Sequence, residues 1–208
     1  MVPLNSNEHT KSYLLDDLKR AEKYFLMSST IVPRPIAMVS TLNADGTDNL
    51  APFSYFNAVS TEPPCVMFSI SAGRDGGKKD TLVNILREKE FVLHIAQAEQ
   101  QDIADQSSES LPYGESERAK ISLTQIASTW IKTPRVAEFK AAFECVLEKT
   151  VEIGTNTVVF GKIVGAHYDE SILLKDSETG QTIPRADCYA LDPLGRMDKN
   201  YGKIIKNK

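Results

Sequence analysis

The chain has 208 residues, of which 41% are hydrophobic and 25% charged, with a formal net charge of -4 and a pI near 5.5. That length suffices for one domain that buries a core without disulfides or a structural metal, and the acidic balance argues against nucleic acid, because no excess of Lys and Arg is there to replace phosphate counterions. No apolar run approaches the roughly 20 residues of a membrane span, and Met1 to Glu8 lacks the charged start and apolar core of a secretory signal, so a soluble cytoplasmic protein with no membrane partner is expected.

In chain order, Tyr13 to Met27 places Leu14, Leu15, Leu18, Ala21 and Phe25 at helical intervals among charged residues. This predicts an amphipathic helix that packs on the main body or on a partner subunit. The stretch Pro33 to Ser60 then reads as a hairpin. Ile36 to Leu42 is apolar and β-branched, Asn43 to Gly46 is a turn with Gly where positive φ is cheap, and Ala51 to Val59 resumes extended character. Both arms carry small hydroxyl or amide groups (Ser40, Thr41, Ser54, Asn57, Ser60) beside Pro35, Pro52, Phe53, Tyr55 and Phe56. Such a wall suits a planar ligand with a polar rim. An ordinary hairpin whose Ser and Asn satisfy only their own turns has the same spacing, so the residues alone leave both readings open.

Cys65 to Ser71 and Phe91 to Ile95 are short β runs, and Thr81 to Glu90 between them reads as a helix with Leu82, Ile85 and Leu86 on one face. Gln97 to Gln106 is helical in pattern, and Ser107 to Gly114 is a loop. Before the Thr81 helix, Ser71 to Thr81 brings three glycines and three basic residues to the helix start. Free N–H groups, the helix dipole and ammonium groups together make an anion site there, and a solvated basic turn capped by Asp80 or Thr81 is the plainer alternative. The Gly-Lys-Ser/Thr order of a Walker loop and any Gly-x-Gly-x-x-Gly fingerprint are absent, so a mononucleotide phosphate fits better than a dinucleotide.

The strongest strand signal is Phe139 to Ile153, with Phe139, Ala141, Phe143, Cys145, Leu147, Val151 and Ile153 on odd positions and Lys140, Glu144, Glu148, Thr150 and Glu152 on even ones. Gly154 to Asn156 turns the chain into Val158 to Val164, where Gly161 and Gly165 mark bends of a closed sheet. The expected architecture is a single mainly β unit, a β-barrel with a few peripheral helices. Cys65, Cys145 and Cys188 are odd in number and widely spaced, with no Cys-x-x-Cys pair and no His at ligand spacing, so neither a disulfide framework nor a zinc site is indicated. All three are expected to be packed thiols, with Cys188 following a charged stretch. Of the histidines, His94 ends an apolar strand and is expected to make one hydrogen bond, and His9 lies in a tail.

The Pro33 to Ser60 segment, with Lys79-Asp80-Thr81-Leu82, Pro134 to Glu138 and Gly161 to His167, resembles the flavin reductase-like family of FMN-binding split β-barrels, the group that includes flavoredoxin. The likeness runs from about Val32 to Gly202. It implies a split β-barrel with a Greek-key-like closed sheet: a helix at about 13–27, a barrel at about 32–190 and a closing segment at 191–208. It also implies a homodimer that holds FMN without a covalent bond near the subunit interface.

Carried onto this chain, the resemblance sets Lys79 and Thr81, with Arg74 in addition, at the FMN phosphate. It sets Met38, Val39, Ser40 and Thr41 and the stretch with Ser54, Phe56 and Asn57 along the isoalloxazine ring. Met38 stands where the family commonly has an aromatic or another apolar residue. Arg34, fixed between two prolines, can meet phosphate or ribityl oxygens, with a surface salt bridge as the alternative. His167 falls where related reductases have a histidine near the nicotinamide pocket. Arg196 and Tyr201 belong to a closing motif that returns toward the flavin.

The activity implied is hydride transfer from NADH or NADPH to flavin N5, with onward delivery to free flavin, oxygen or a redox partner protein. No obligatory acid, base or nucleophile is needed, in keeping with a chain lacking a hydrolytic triad or paired carboxylates. An FMN electron carrier reduced by a partner protein, a non-catalytic flavin-binding module and a pyridoxamine phosphate oxidase-like enzyme are the alternatives.

Overall fold

Glu22 decides where the first helix starts. In the computed structural model, which describes residues 10–73, 76–109, 116–203 and 205, the Glu22 carboxylate accepts the Lys19 N–H at 2.8 Å, and α1 runs over Arg20–Thr30. The expected helix over 13–27 therefore begins seven residues later, after a 3-10 turn at Leu15–Asp17. Its apolar residues do not pack down: Leu14, Leu15 and Phe25 are 69%, 49% and 41% exposed, and Ser28 is the one buried residue of α1. His9 and residues 110–114 of the expected 107–114 loop lie outside the described residues.

Strand β1 is the short pair Arg34–Pro35, followed by β2 (Ala37–Leu42) and β3 (Asp48–Phe53). The β2–β3 turn is the expected one, with Gly46 at φ 85° and the Asn43 N–H bonded to the Thr47 carbonyl at 2.7 Å. The second arm is not one extended run from Ala51 to Val59. It breaks at Ser54 and Tyr55 into β3 and β4 (Phe56–Thr61), and β4 pairs with β5 (Pro64–Ser71). Helix α2 (Asp80–Glu88) and β6 (Glu90–Ile95) follow, then α3 (Gln101–Gln106), α4 (Glu117–Lys120) and the two-residue strands β7 (Gln125–Ile126) and β8 (Arg135–Val136). The long pair β9 (Ala141–Ile153) and β10 (Asn156–Tyr168) precedes β11 (Leu173–Lys175), β12 (Thr182–Ala186) and α5 (Cys188–Leu191). Strands β13 (Gly195–Met197) and β14 (Asn200–Gly202) end the fold and return beside β1, with Arg34 opposite Arg196.

Seven strands form one antiparallel sheet in the order β3-β2-β6-β9-β10-β5-β4. No ladder closes it among the described residues; the expected closed sheet is here a curled one whose two edge strands meet at a corner. Those edges, β3 and β4, are consecutive in sequence and separated by Ser54 and Tyr55 alone. The Tyr55 carbonyl accepts the Ser69 N–H of β5 at 2.9 Å, and Phe53 of β3 packs on Phe68 of β5 with ring centroids 5.0 Å apart. The curl wraps Val39, Phe68, Ile70, Ile85, Phe91, Leu93 and Cys145 into one apolar core, with a second around Met38, Leu50, Leu123 and Leu194 on the other face.

Gly161 and Gly165 lie where β10 shifts register against β9, as bend points should. A Cβ on Gly161 would lie 2.3 Å from the Phe91 ring, and one on Gly165 would lie 1.9 Å from Trp130. The alternation read into β9 holds for Ala141 and Cys145 but fails at both ends. Glu144, on the even face, is fully buried, whereas Val151 and Ile153 on the odd face are 40% and 63% exposed. Beside β9, β6 pairs only from Ala142 to Val146, so the far half of the strand has β10 alone as a neighbour in the sheet, while residues 129–131 bond to Glu144 in the near half. Cys65 and Cys145 are buried as expected, and burial pushes the Cys145 thiol pKa up. Cys188 is exposed at the start of α5, which corrects the expectation of a packed thiol. No helix among the described residues is long and apolar enough to cross a membrane.

Candidate functional site

The Ser54–Tyr55 corner separates two contiguous cavities that share Ser54, Tyr55, Ser69 and Asn156. The corner exists because the chain must leave one sheet edge and join the other within two residues. Ser69 and Asn156, on adjacent strands β5 and β10, hold the shared wall through an Asn156 Nδ2 to Ser69 Oγ bond of 2.9 Å. The first cavity, of about 480 Å³, is walled mostly by apolar side chains: Met27 and Ile31 at the end of α1, Pro33, Pro35, Phe56, Met67, Ile153 and Val158. Its one charged lining residue is Arg34. The second, of about 740 Å³, is polar: Arg20 and Lys79 bring two cations, and Ser54, Ser69, Ser71 and Thr155 bring hydroxyls. Both volumes lie in the range of cofactor sites.

Arg34 is 5% exposed. Its Nη1 donates to the carbonyls of Ser28 and, at 3.0 Å, Ile31, tying down the end of α1, where the helix leaves carbonyls unsatisfied. Its Nε and Nη2 are buried with no hydrogen-bond partner among the described residues. A buried guanidinium edge without an acceptor is unfavourable, and an anionic or carbonyl-rich ligand in the adjoining cavity relieves it. This orphaned edge is the observation that fits a flavin to these residues.

Of the residues expected at a ligand, Arg34, Ser54, Phe56 and Asn57 line the first cavity, and Lys79, with Ser54 again, lines the second. Lys79 is the residue before α2, and its carbonyl accepts the N–H groups of Leu82 and Val83, so neither Asp80 nor Thr81 is the cap. Met38, Val39, Ser40 and Thr41 line neither cavity. They lie on β2, an interior strand between β3 and β6, and their side chains are used inside the protein. Met38 and Val39 fill the two cores, Ser40 donates to the Pro134 carbonyl at 2.8 Å, and Thr41 accepts from Asn84 at 3.1 Å. Thr81 is likewise buried and accepts from Asn49 at 3.0 Å, so it anchors α2 to β3. Arg74 lies outside the described residues.

Tyr201 and Arg196 line neither cavity. The Tyr201 hydroxyl donates to Asp105 at 2.6 Å, and the Arg196 guanidinium lies 4.4 Å from its ring centroid. Burial and that bond push the Tyr201 phenol up to about 12. His167 is nine residues along β10 from Val158, about 30 Å at strand rise, and does not join the cavities within this chain. It instead contacts Glu144, Nε2 to Oε1 2.6 Å, beside Trp130 at a ring distance of 5.4 Å. Glu144 also accepts the N–H groups of Thr129, Trp130 and Ile131 at 2.6 to 3.0 Å. Burial works against its charge, but the Thr129 N–H, His167 and the Trp130 N–H outweigh it, so its carboxyl is held below the ordinary carboxylate range.

Sequence reasoning missed Arg20, Ser71 and Thr155 at the polar cavity, Met67 and Val158 at the apolar one, and Ser69 and Asn156 at the shared wall. The signal available was the closeness of β5 to the β9–β10 turn, which the strand runs around Ser71 and Gly154 imply only once they are paired.

Residues 27–184 match the flavin reductase like domain. The chain belongs to that family. An uncharacterized protein of Aquifex aeolicus is 36% identical over 178 residues, 86% of this chain and 87% of its own length. Among solved structures, nitrilotriacetate monooxygenase component B from Bacillus cereus is similar at TM-score 0.87 and 30% identity, covering 97% of this chain and 99% of that one. A split barrel domain protein from Shewanella frigidimarina shares the fold at TM-score 0.78 and 19% identity, covering 93% of each chain. This flavin reductase-like chain is thus mainly β with neighbours that are split barrels, and its function is that of a flavin-related oxidoreductase.

Proposed function

We propose that this protein binds FMN non-covalently, accepts hydride from NADH or NADPH, and passes the electrons onward. The observation that carries the reading is the pair of contiguous cavities at the Ser54–Tyr55 corner, one polar with two cations and one apolar with a buried, unpartnered guanidinium edge. Lys79 and Arg20 are the residues to offset a phosphate, with Ser71 and Thr155 as hydroxyl donors beside them. Pro35, Phe56, Met67 and Val158 supply apolar walls that exclude water from a ring. Bound FMN supplies the hydride-accepting and electron-releasing chemistry, so the protein's task is to hold, orient and shield it.

Likeness to a monooxygenase component supports delivery of electrons to a separate acceptor. A homodimer is part of the proposal, supported by the exposed apolar residues of the N-terminal arm, among them Leu14 (69%) and Ile31 (59%), and by the outer sides of edge strands β3 and β4, which carry no further ladder among the described residues. The cytoplasm is the proposed location.

The test is the visible spectrum of the purified protein after FMN addition and desalting, followed anaerobically as NADH and then NADPH is added. Retained yellow colour that bleaches with one nucleotide is expected and identifies the donor. Retained colour that neither nucleotide bleaches replaces the reductase by an electron carrier or binding module. Flavin that washes away entirely and is not reduced in its presence overturns the reading.

A further inference from the structure

We propose that Arg34 is directed at the polar rim of the flavin ring and not at the phosphate, and that it makes the protein bind reduced flavin more tightly than oxidised flavin. The inference rests on the flavin reading above and deepens it. Three observations point the same way.

First, the two cavities differ in character. Exposed cations, Arg20 and Lys79, stand at the polar cavity, where a phosphate can keep part of its water. Arg34 stands in the apolar one, a setting for an aromatic ring. Second, half of the guanidinium is already engaged. Nη1 is held by the Ser28 and Ile31 carbonyls, which fixes the group in place, and Nε and Nη2 remain. Those two nitrogens form one parallel edge of the planar group, spaced for two neighbouring acceptor atoms. The carbonyl and nitrogen atoms along one side of an isoalloxazine ring present such a pattern. Third, no carboxylate lies within ion-pair distance of the charge among the described residues, and the residue is 5% exposed; besides the Ser28 and Ile31 carbonyls, the Tyr55 ring lies 5.8 Å from Cζ to centroid. An unneutralised cation in a low-dielectric site interacts strongly with any negative charge that develops beside it. Reduction by two electrons and one proton leaves one negative charge on the ring, whereas the oxidised ring is neutral. The differential interaction therefore favours the reduced form, and by linkage raises the midpoint potential of the bound flavin.

The experiment measures dissociation constants of FMN and riboflavin, each oxidised and dithionite-reduced, for the full chain and for Arg34→Gln and Lys79→Gln. Arg34→Gln is expected to weaken FMN and riboflavin by the same factor, and to weaken the reduced forms at least tenfold more than the oxidised ones. Each tenfold of that difference lowers the midpoint potential by about 30 mV for a two-electron couple, read independently against an indicator dye. Lys79→Gln is expected to weaken FMN alone. Should Arg34→Gln fail to fold, Arg34→Lys carries the test. It keeps a donor for the Ser28 and Ile31 carbonyls but lacks the two-pronged edge, and equal weakening of FMN and riboflavin is again expected. Weakening of FMN that spares riboflavin in either Arg34 variant puts the guanidinium at the phosphate and overturns the proposal, as does an unchanged potential in Arg34→Gln. A wild-type chain that binds neither flavin overturns the flavin reading itself, a result distinct from one in which wild type binds both and Arg34 has no effect.

Discussion

His94 offers a measurement in which burial and hydrogen bonding make the same demand. The ring is fully buried on β6, its Nδ1 lies 3.0 Å from the Met38 carbonyl, and its Nε2 lies 2.9 Å from the Val136 N–H. A backbone N–H can only donate, so Nε2 is the acceptor and the proton sits on Nδ1, donating to Met38. Protonating Nε2 would bury a charge and set two donors against each other. Burial is the main cause that lowers the pKa from its ordinary 6.5 to about 4. For a histidine with a depressed folded value, the unfolded chain takes up the proton first. Stability is therefore intact above about pH 6.5, falls as the pH drops below it, and levels off below about 4. At about 1.4 kcal/mol per pK unit, the total loss is ~3 kcal/mol. Urea unfolding read by Trp130, the chain's single tryptophan, checks this at about pH 7.5 and about pH 4.5. Other carboxyl groups titrate in the same range, so the quantity to compare is the acid-induced loss in wild type against that in His94→Gln. The variant is expected to be less stable at neutral pH but to lose ~3 kcal/mol less on acidification. Parallel pH profiles, or an NMR titration of His94 centred near its ordinary value, would refute the reasoning.

Glu144→Gln replaces one carboxylate oxygen with an amide nitrogen that cannot accept, so either the Thr129 N–H or those of Trp130 and Ile131 lose their acceptor beside a fully buried side chain. We expect a destabilisation of about 3–5 kcal/mol by denaturant unfolding. Because its carboxyl is held low, the wild-type contribution is present above the ordinary carboxylate value of 4.5 and is lost as the pH falls through the folded value, so the variant's deficit shrinks in acid. A thiol reagent should label Cys188 in the native protein and reach Cys65 and Cys145 only on unfolding; fast modification of more than one thiol counts against the packing described.

Much of the fold was legible in local patterns. The runs Cys65 to Ser71 and Phe91 to Ile95 read as strands and fold as β5 and β6, because apolar and β-branched residues bounded by turns leave few alternatives. Gly161 and Gly165 read as bends and sit at register shifts. The start of α1 was misplaced because the apolar spacing from Tyr13 continues through a break that Glu22 enforces by bonding to Lys19. The candidate site was legible in part. Arg34, Ser54, Phe56, Asn57 and Lys79 line the cavities, while Thr41 and Thr81, of the same chemical kind, pin β2, β3 and α2 together, and Ser40 ties β2 to the Pro134 carbonyl.

That division marks what sequence alone determined and what waited for the tertiary structure. Periodicity and turn chemistry act within a few residues, so the hairpins, the long β9–β10 pair and the basic approach to α2 were written locally. Which hydroxyls face a ligand, which edge of Arg34 is left unsatisfied, and why Glu144 on a polar-looking strand face is sealed from water all depend on neighbours far along the chain. Glu144 is buried because residues 129–131 fold over it, and the cavities exist because two sheet edges meet at Ser54 and Tyr55. A short-range pattern holds no information about such long-range partners, and burial is a property of the pairing, not of the residue.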